Sequence, residues 1–204
     1  MNMQLVLASS SKRRLELLKR IGLRPKVVTV NVKEVYEGMP PHKICILNAY
    51  KKAIKATREI HDSAIIIGAD TIICHKGHII GKPKNIIEAR RILETLSGTW
   101  HEVYTGLCVI RTDDWCVALG YERTRVLFKE LTKEEIDKYL MIEDPLDKAG
   151  GYAIQSLGAV FVKKIEGDFF NVMGLPLHVL YVLLNSIGID LFKLILKGSN
   201  EDPY

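Results

Sequence analysis

The chain has 204 residues, of which 48% are hydrophobic and 26% are charged, and its formal net charge is +5. These values are typical of a soluble globular protein, and the length allows one buried core or two small lobes around a cleft. The positive charges form short clusters among acids, such as Lys12-Arg13-Arg14, which favours a small polyanion such as a nucleotide as partner and makes extended nucleic-acid binding unlikely on charge grounds.

Hydrophobic periodicity and turn residues predict an alternating series of strands and helices. Hydroxyls of Ser9, Ser10 and Ser11 are expected to cap the first helix, and Thr132 a later one. Strands are predicted at 3–8, 26–30, 64–73, 100–111 and 115–128, with a strand pair around 160–165 and a hairpin turn at 74–78 that leads to 79–80. The first predicted helix ends at Gly22, and the others lie at 41–60, 86–96, 132–141 and 177–186. Loops are predicted at 31–41 and 143–151, and an amphipathic, partly disordered tail after Gly188.

Hairpins and helical crossovers occur in the same chain, which predicts an α/β fold with a mixed twisted sheet and flanking helices. No repeat or low-complexity linker divides residues 1–204, so we expect a single domain. The segment at about 100–142 is expected to form a smaller lobe within it, with a cleft between the two lobes.

The four cysteines, Cys45, Cys74, Cys108 and Cys116, lie in apolar surroundings and form no C-x-x-C pair. This pattern is typical of a reduced cytoplasmic protein. The stretch before the first helix is too short for a signal peptide, and no apolar run reaches the length of a membrane span. We therefore expect a cytoplasmic protein without a membrane anchor.

The apolar run from Ala64 to Ile73 predicts a fully buried strand, and it contains one acid, Asp70. A buried carboxylate without a partner costs several kcal/mol, so a neighbouring cation or a bound metal is expected beside Asp70. Open α/β sheets place their ligands at such strand ends. The alternative is that Asp70 only caps a turn.

Three loops carry further candidate chemistry. In LASSSKRR a strand runs into a hydroxyl-rich turn that opens a helix, an arrangement that favours a bound anion, although a plain helix cap is the alternative. Gly81-Lys82-Pro83 lacks the Walker A pattern, but its lysine follows closely on the Asp70 strand. Gln155 carries both a donor and an acceptor that can contact a nucleobase. A zinc site at Cys74, His75 and His78 is disfavoured, because further ligands are missing.

Six stretches together resemble the Maf-like nucleotide pyrophosphatases over nearly the whole chain. The stretches are, in order, LASSSKRRLELL, GADT, GKP, TLSGTWHEVYTG, DKAGGYAIQ and NVMGLPL. The resemblance implies hydrolysis of a nucleoside triphosphate to the monophosphate and pyrophosphate, assisted by a divalent cation such as Mg²⁺, or else Mn²⁺ or Co²⁺. It also implies a fold related to the inosine-triphosphate pyrophosphatases and a homodimer.

The resemblance also implies roles for individual residues. Asp70 matches the proton acceptor of the family, and Glu34 with Asp70 is expected to bind the metal. Lys33 stands where the family often has an acid before the Glu34 position, so the metal site is expected either to have one carboxylate fewer or to be tuned by a nearby cation. Residues at positions lining the phosphate and metal site are Ser9, Arg14, Glu34, Lys52 and Lys82, and those at positions associated with substrate choice are Arg13, Thr71 and Gln155.

The set Arg13, Thr71 and Gln155 resembles the branch of the family that acts on dTTP and UTP. On this hypothesis Asp70 activates water, while Thr71 and Gln155 bind the pyrimidine edge and disfavour purines. Modified pyrimidine nucleotides are possible substrates on the same grounds, which implies a house-cleaning role. The alternative is a non-catalytic nucleotide- or nucleic-acid-binding regulator of cell division, which would not need Asp70, Glu34 and a metal together.

Overall fold

The computed structural model describes the backbone of residues 3–200 and the side chains of residues 3–196. The strands are β1 (Gln4–Ala8), β2 (Lys26–Val27), β3 (Ala64–His75), β4 (His78–Ile80), β5 (Trp100–Arg111), β6 (Cys116–Phe128) and β7 (Val162–Glu166). The α-helices are α1 (Lys12–Arg20), α2 (Pro41–Ala56), α3 (Ile86–Leu96), α4 (Lys133–Ile142), α5 (Phe169–Met173), α6 (Leu177–Ser186) and α7 (Leu191–Asn200).

The strands form one mixed sheet in the order β2-β1-β3-β5-β6-β7, with β4 paired to β3 outside this series. β1 is parallel to both β2 and β3, whereas β3, β5, β6 and β7 pair in antiparallel fashion. The prediction of an α/β fold with a mixed sheet and flanking helices is therefore confirmed. The relation to the inosine-triphosphate pyrophosphatases stays a prediction.

The central strand β3 sends alternate side chains to opposite faces of the sheet, as strand geometry requires. Ile65 and Ile67 pack in the core shared with α1 and α6, whereas Ile66 packs against α2. The same alternation sends Asp70 towards α2 and Thr71 towards α1. Two adjacent residues thus serve the two sides of the sheet.

Pairing between β1 and β3 ends where Ala8 lies opposite Gly68, two residues before Asp70. After Ala8 the chain leaves the sheet and enters the loop of residues 9–11, which we call the serine-rich loop. One side of Asp70 is therefore not covered by β1. On the other side Asp70 lies opposite Gly106 of β5. This strand end is where open α/β sheets form their binding crevices.

Two glycines allow α2 to lie unusually close to the sheet. A Cβ atom at Gly68 would lie 2.3 Å from the carbonyl oxygen of Ala49, and one at Gly106 would lie 2.3 Å from the carbonyl carbon of Cys45. Any side chain at either position would therefore push the helix outwards. This close approach brings the polar side chains of α2 within reach of Asp70.

Several predicted boundaries were wrong. The strand predicted at 26–30 is only Lys26–Val27, which pairs with Val6 and Leu7 of β1. The helix predicted at 41–60 ends at Ala56 and continues as a 3₁₀ turn. The strand pair predicted around 160–165 is one strand, β7, since the preceding residues form a 3₁₀ helix.

The tail after Gly188 was predicted to be partly disordered, but residues 191–200 form the helix α7. The Asp190 carboxylate accepts hydrogen bonds from the backbone N–H groups of Phe192 and Lys193, as a helix N-cap does. Leu194 and Ile195 pack against the main core. Residues 201–204 lie outside the described part of the chain.

The N-cap predicted at Thr132 is confirmed as a complete capping box with Glu135. All four cysteines are free thiols, three of them buried. Within the described residues, no helix combines the length and apolar character needed to cross a bilayer.

Candidate active site

A cleft of about 360 Å³ opens where β1 ends beside β3, next to Asp70. Its walls come from the serine-rich loop, the irregular loop before α2, the Gly81-Lys82 turn and the loop that ends at Gln155. All nine site residues predicted from the sequence line this one cleft: Ser9, Arg13, Arg14, Glu34, Lys52, Asp70, Thr71, Lys82 and Gln155.

The Lys52 ammonium lies between two carboxylates. Its Nζ is 2.6 Å from Asp70 Oδ1 and 2.6 Å from Glu34 Oε1. The side chain of Asp70 is only 8% exposed, so an uncompensated charge there would be costly. The sequence predicted a neighbouring cation or a metal beside Asp70, and the structure provides the cation.

Glu34 has a second partner, because its Oε2 accepts a hydrogen bond from the hydroxyl of Tyr36. Burial alone would raise the pKa of Glu34, but hydrogen bonds from Lys52 and Tyr36 outweigh it and hold that pKa below its ordinary value of 4.5. Burial and the neighbouring Glu34 raise the pKa of Tyr36. Glu34 is therefore ionised and Tyr36 neutral at neutral pH.

Asn48 of α2 is fully buried and connects three segments of the site. Its Nδ2 donates to Asp70 Oδ2 at 3.0 Å and to the carbonyl oxygen of Val35 at 2.9 Å. Its Oδ1 accepts from the N–H of Val35 at 2.8 Å. Asn48 and Lys52 are four residues apart and so lie on one face of α2, directed at the two oxygens of Asp70.

Arg14 is almost fully buried at the start of α1, with a relative exposure of 8%. Its Nε donates to Gly174 O at 2.7 Å, Nη1 to Ser9 Oγ at 2.9 Å and Nη2 to Thr71 Oγ1 at 2.9 Å. Burial lowers the pKa of Arg14 to about 10, partly offset by Asp70. The guanidinium is thus charged at neutral pH and held by three separate segments.

The serine-rich loop is organised differently from a simple helix cap. Ser11 occupies the N-cap position of α1, but its side chain makes no capping hydrogen bond. Instead, Ser9 Oγ accepts from the Ser11 N–H at 3.2 Å as well as from Arg14. The hydroxyl of Ser9 therefore orders the loop and the arginine together.

Arg13 points to the opposite wall of the cleft. Its Nη1 lies 3.3 Å from Asp147 Oδ2, and Asp147 also pairs with Lys148 at 2.7 Å. Burial would raise the pKa of Asp147, but these two cations hold it below its ordinary value. The ion pair joins the serine-rich loop to the loop that carries Gln155.

Lys82 and Gln155 are both exposed at the cleft. In the part of the chain that the structure describes, Lys82 forms no ion pair and Gln155 forms no hydrogen bond. Both side chains are therefore available to a ligand, one as a cation and the other as a donor and acceptor.

The carboxylates of Glu34 and Asp70 converge on one point, and this donor set suits a divalent cation that takes its other ligands from phosphate and water. Among residues 3–196, no cluster of three or more His, Cys, Asp or Glu side chains is arranged to hold a metal by itself. At the alternative zinc position, His75 Nε2 instead lies 3.1 Å from the hydroxyl of Thr99.

Sequence reasoning missed Asn48, Tyr36 and Asp147. An asparagine among the apolar positions of a helix, one turn before a lysine, was the available signal for Asn48. Tyr36 and Asp147 gave no comparable signal, because each acquires its partner only through the folding of a loop.

Comparison with known proteins places the chain in a family. Residues 4–187 match the family model described as "Maf-like protein". A dTTP/UTP pyrophosphatase of Caldicellulosiruptor saccharolyticus is 44% identical over 196 residues, which cover 93% of this chain and 98% of that protein. A dTTP/UTP pyrophosphatase of Dictyoglomus thermophilum is 44% identical over 193 residues, or 94% and 100% of the two chains. A third dTTP/UTP pyrophosphatase, from Thermosipho melanesiensis, is 43% identical over 182 residues.

Proposed function

This chain belongs to the Maf-like protein family, and from that premise we propose that it hydrolyses dTTP and UTP to the monophosphate and pyrophosphate. One observation carries the proposal: a buried carboxylate, Asp70, faces a cleft that is also lined by five lysine and arginine residues. Its relatives named dTTP/UTP pyrophosphatase cover nearly the same length. Modified pyrimidine nucleotides present the same polar groups and belong to the proposed substrate class, consistent with a house-cleaning role.

Asp70 orients and deprotonates the water that attacks the α-phosphorus. Each oxygen of Asp70 already accepts one hydrogen bond, from Lys52 or from Asn48, and each retains a second lone pair. The bond from the α-phosphorus to the bridging oxygen breaks, and pyrophosphate leaves with that oxygen. The proton from the water passes to Asp70.

Arg14, Lys52 and Lys82 stabilise the negative charge that develops on the triphosphate. Arg14 and Lys52 are held in place by their contacts with the protein, so little reorganisation is needed when the charge moves. Lys82 is exposed at the cleft and binds the phosphates there. Ser9 keeps Arg14 aligned.

Glu34 and Asp70 are the residues that would hold a divalent cation, Mg²⁺ or, in its place, Mn²⁺ or Co²⁺. When bound, the ion would neutralise charge on the phosphate oxygens. The fit rests on the two carboxylates that now share Lys52. Mg²⁺ sites commonly use one or two carboxylates together with substrate phosphates.

Gln155 binds the edge of the pyrimidine, since its amide offers a donor for a base carbonyl and an acceptor for the ring N–H. Arg13 fixes the wall that carries Gln155 through its ion pair with Asp147. Thr71, the third position associated with substrate choice, lies on the floor of the same cleft.

The test is incubation with dTTP, UTP, CTP and GTP in the presence of Mg²⁺, with separate assays for pyrophosphate and orthophosphate. Pyrophosphate from dTTP and UTP is the expected result. Orthophosphate would indicate a different phosphohydrolase. Binding without any turnover would favour the alternative, a nucleotide-binding regulator.

The four free thiols support a reducing, cytoplasmic location. A homodimer is supported by large apolar side chains on the surface of β6 and the turn before it. The side chains are Trp115, Val117, Leu119 and Tyr121, each at least 40% exposed. Light scattering after gel filtration tests this, since a Leu119→Lys variant is expected to shift the protein towards monomer.

A further inference from the structure

A buried chain of hydrogen bonds runs from the cleft into the protein through Thr71. Arg14 Nη2 lies 2.9 Å from Thr71 Oγ1, Thr71 Oγ1 lies 2.9 Å from Thr105 Oγ1, and Thr105 Oγ1 lies 3.0 Å from the carbonyl oxygen of Asn171. Thr105 and Asn171 are fully buried. Each hydroxyl in such a chain has one hydrogen, so the chain has a direction.

The direction is set at its inner end. The carbonyl oxygen of Asn171 can only accept, and two buried oxygens 3.0 Å apart without a hydrogen between them would repel each other. The hydrogen of Thr105 therefore points to Asn171. Thr71 must then donate its own hydrogen to Thr105 and accept one from Arg14.

The consequence is that Thr71 has no hydrogen left for a substrate. The carbonyl groups of thymine and uracil need donors, and the hydroxyl of Thr71 cannot supply one while this chain is intact. Its remaining capacity is one lone pair.

The same contacts define what Arg14 offers. A guanidinium has five N–H groups, and three of those of Arg14 are used by Gly174, Ser9 and Thr71. One N–H remains on each terminal nitrogen, and we call these two N–H groups, which can donate to phosphate oxygens, the fork. Loss of the contact with Thr71 would free that end of the fork to rotate.

We propose that Thr71 is a positioning residue that aligns Arg14 with the phosphates of the substrate and makes no donor contact with the base. The proposal rests on the proposed function for the identity of the substrate, but the role that it gives to Thr71 concerns the binding of polyphosphate. On this account the hydroxyl of Thr71 acts on the triphosphate that the nucleotides share, so its loss affects them equally.

Inorganic tripolyphosphate tests the proposal, because it has the phosphates of the substrate and no base. Calorimetric titration in the presence of EDTA measures its affinity without turnover. Thr71→Val should weaken binding about tenfold, the loss expected for one hydrogen bond to a charged group. Thr71→Ser, which keeps the hydroxyl, should remain within about twofold of the unsubstituted protein. Unchanged affinity in Thr71→Val would overturn the proposal.

A double-mutant cycle tests whether Thr71 acts through Arg14. In an Arg14→Ala background, Thr71→Val should cause less than about a twofold further loss, since the residue through which it acts is gone. A full tenfold loss there would contradict action through Arg14. Circular dichroism and thermal unfolding establish that each variant is folded, and Thr71→Ala serves as a second variant if valine is not tolerated.

Activity assays separate this proposal from the proposed function. Thr71→Val should lower kcat/KM for dTTP, UTP and CTP by one common factor, and a change in the dTTP to CTP ratio above about threefold would overturn it. Absence of turnover in the unsubstituted protein would refute the proposed function alone. The tripolyphosphate titration would still decide the role of Thr71.

Discussion

The side-chain amide of Asn48 donates to Asp70 Oδ2 at 3.0 Å while its other two contacts bind both backbone groups of Val35. Val35 follows Glu34 directly, in a loop that has no regular secondary structure. The buried amide of Asn48 therefore fixes the position of the Glu34 loop relative to β3, the strand that carries Asp70. Lys52, one turn further along the helix, then bridges the two carboxylates.

Asn48→Leu should lower both stability and turnover. The substitution leaves the N–H and C=O of Val35 without partners, at a cost of about 3 kcal/mol in the free energy of unfolding. The loop carrying Glu34 would no longer be held, so kcat should fall at least tenfold. Urea unfolding and pyrophosphate release measure the two effects. Asn185→Leu on the exposed face of α6 is the matched control, and wild-type kcat in Asn48→Leu would contradict the role.

Asp70→Asn should reduce turnover by at least about 10²-fold, because an amide cannot accept the proton of the attacking water. The fold should survive the change, since Lys52 keeps its second carboxylate partner, Glu34, at 2.6 Å. Pyrophosphate release gives the rate, and thermal unfolding gives the stability. Asp62→Asn, an exposed acid before the same strand, should behave like the unsubstituted protein. Near-normal turnover in Asp70→Asn would contradict the role of Asp70 as general base.

Lys52→Met should make the stability of the protein depend on Mg²⁺. Without the ammonium, Glu34 and Asp70 lose the cation that they share, and the protein should be destabilised by about 3 kcal/mol in EDTA. A divalent cation that binds both carboxylates should recover much of this loss. Thermal unfolding against Mg²⁺ concentration measures it, with Lys55→Met as control. If the melting temperature of Lys52→Met did not change with Mg²⁺ concentration, this would argue against Glu34 and Asp70 as metal ligands.

Much of the fold follows from local sequence signals. The apolar run around Asp70 predicted the central strand, and Thr132 marked the start of α4, because both signals act over a few residues. The boundaries that were missed depend on distant partners instead. The strand at Lys26–Val27 is defined by its pairing with Val6 and Leu7 of β1, and no local pattern contains that information.

The site was predictable to the extent that its residues stand at strand ends and in the loops that follow them. All nine predicted residues line one cleft, which opens where β1 ends beside the continuing strand β3. The partners of these residues were not predictable. The pairs Arg13–Asp147 and Arg14–Thr71 join residues 134 and 57 positions apart, and only the folded chain brings them together.

His101 should make stability fall in mild acid. It is 1% exposed, its Nε2 lies 2.7 Å from the hydroxyl of Tyr152, and its Nδ1 has no partner among the described residues. Burial, with a smaller effect of His75, lowers the pKa of His101 from 6.5 to about 3. Below pH 6.5 His101 is therefore protonated in the unfolded chain but stays neutral in the folded chain. Stability decreases as the pH falls from 6.5 towards 3, because protons bind preferentially to the unfolded chain.

Between pH 7 and pH 5 this single histidine should cost about 2 kcal/mol of the free energy of unfolding. In His101→Gln the same change of pH should therefore cost about 2 kcal/mol less, although the variant starts from a lower stability at pH 7 because its contact with Tyr152 is altered. Urea unfolding at the two pH values measures the difference. The exposed His61 provides the control, since His61→Gln should keep the wild-type pH dependence. An identical pH dependence in His101→Gln and the unsubstituted protein would show that His101 is not the group responsible.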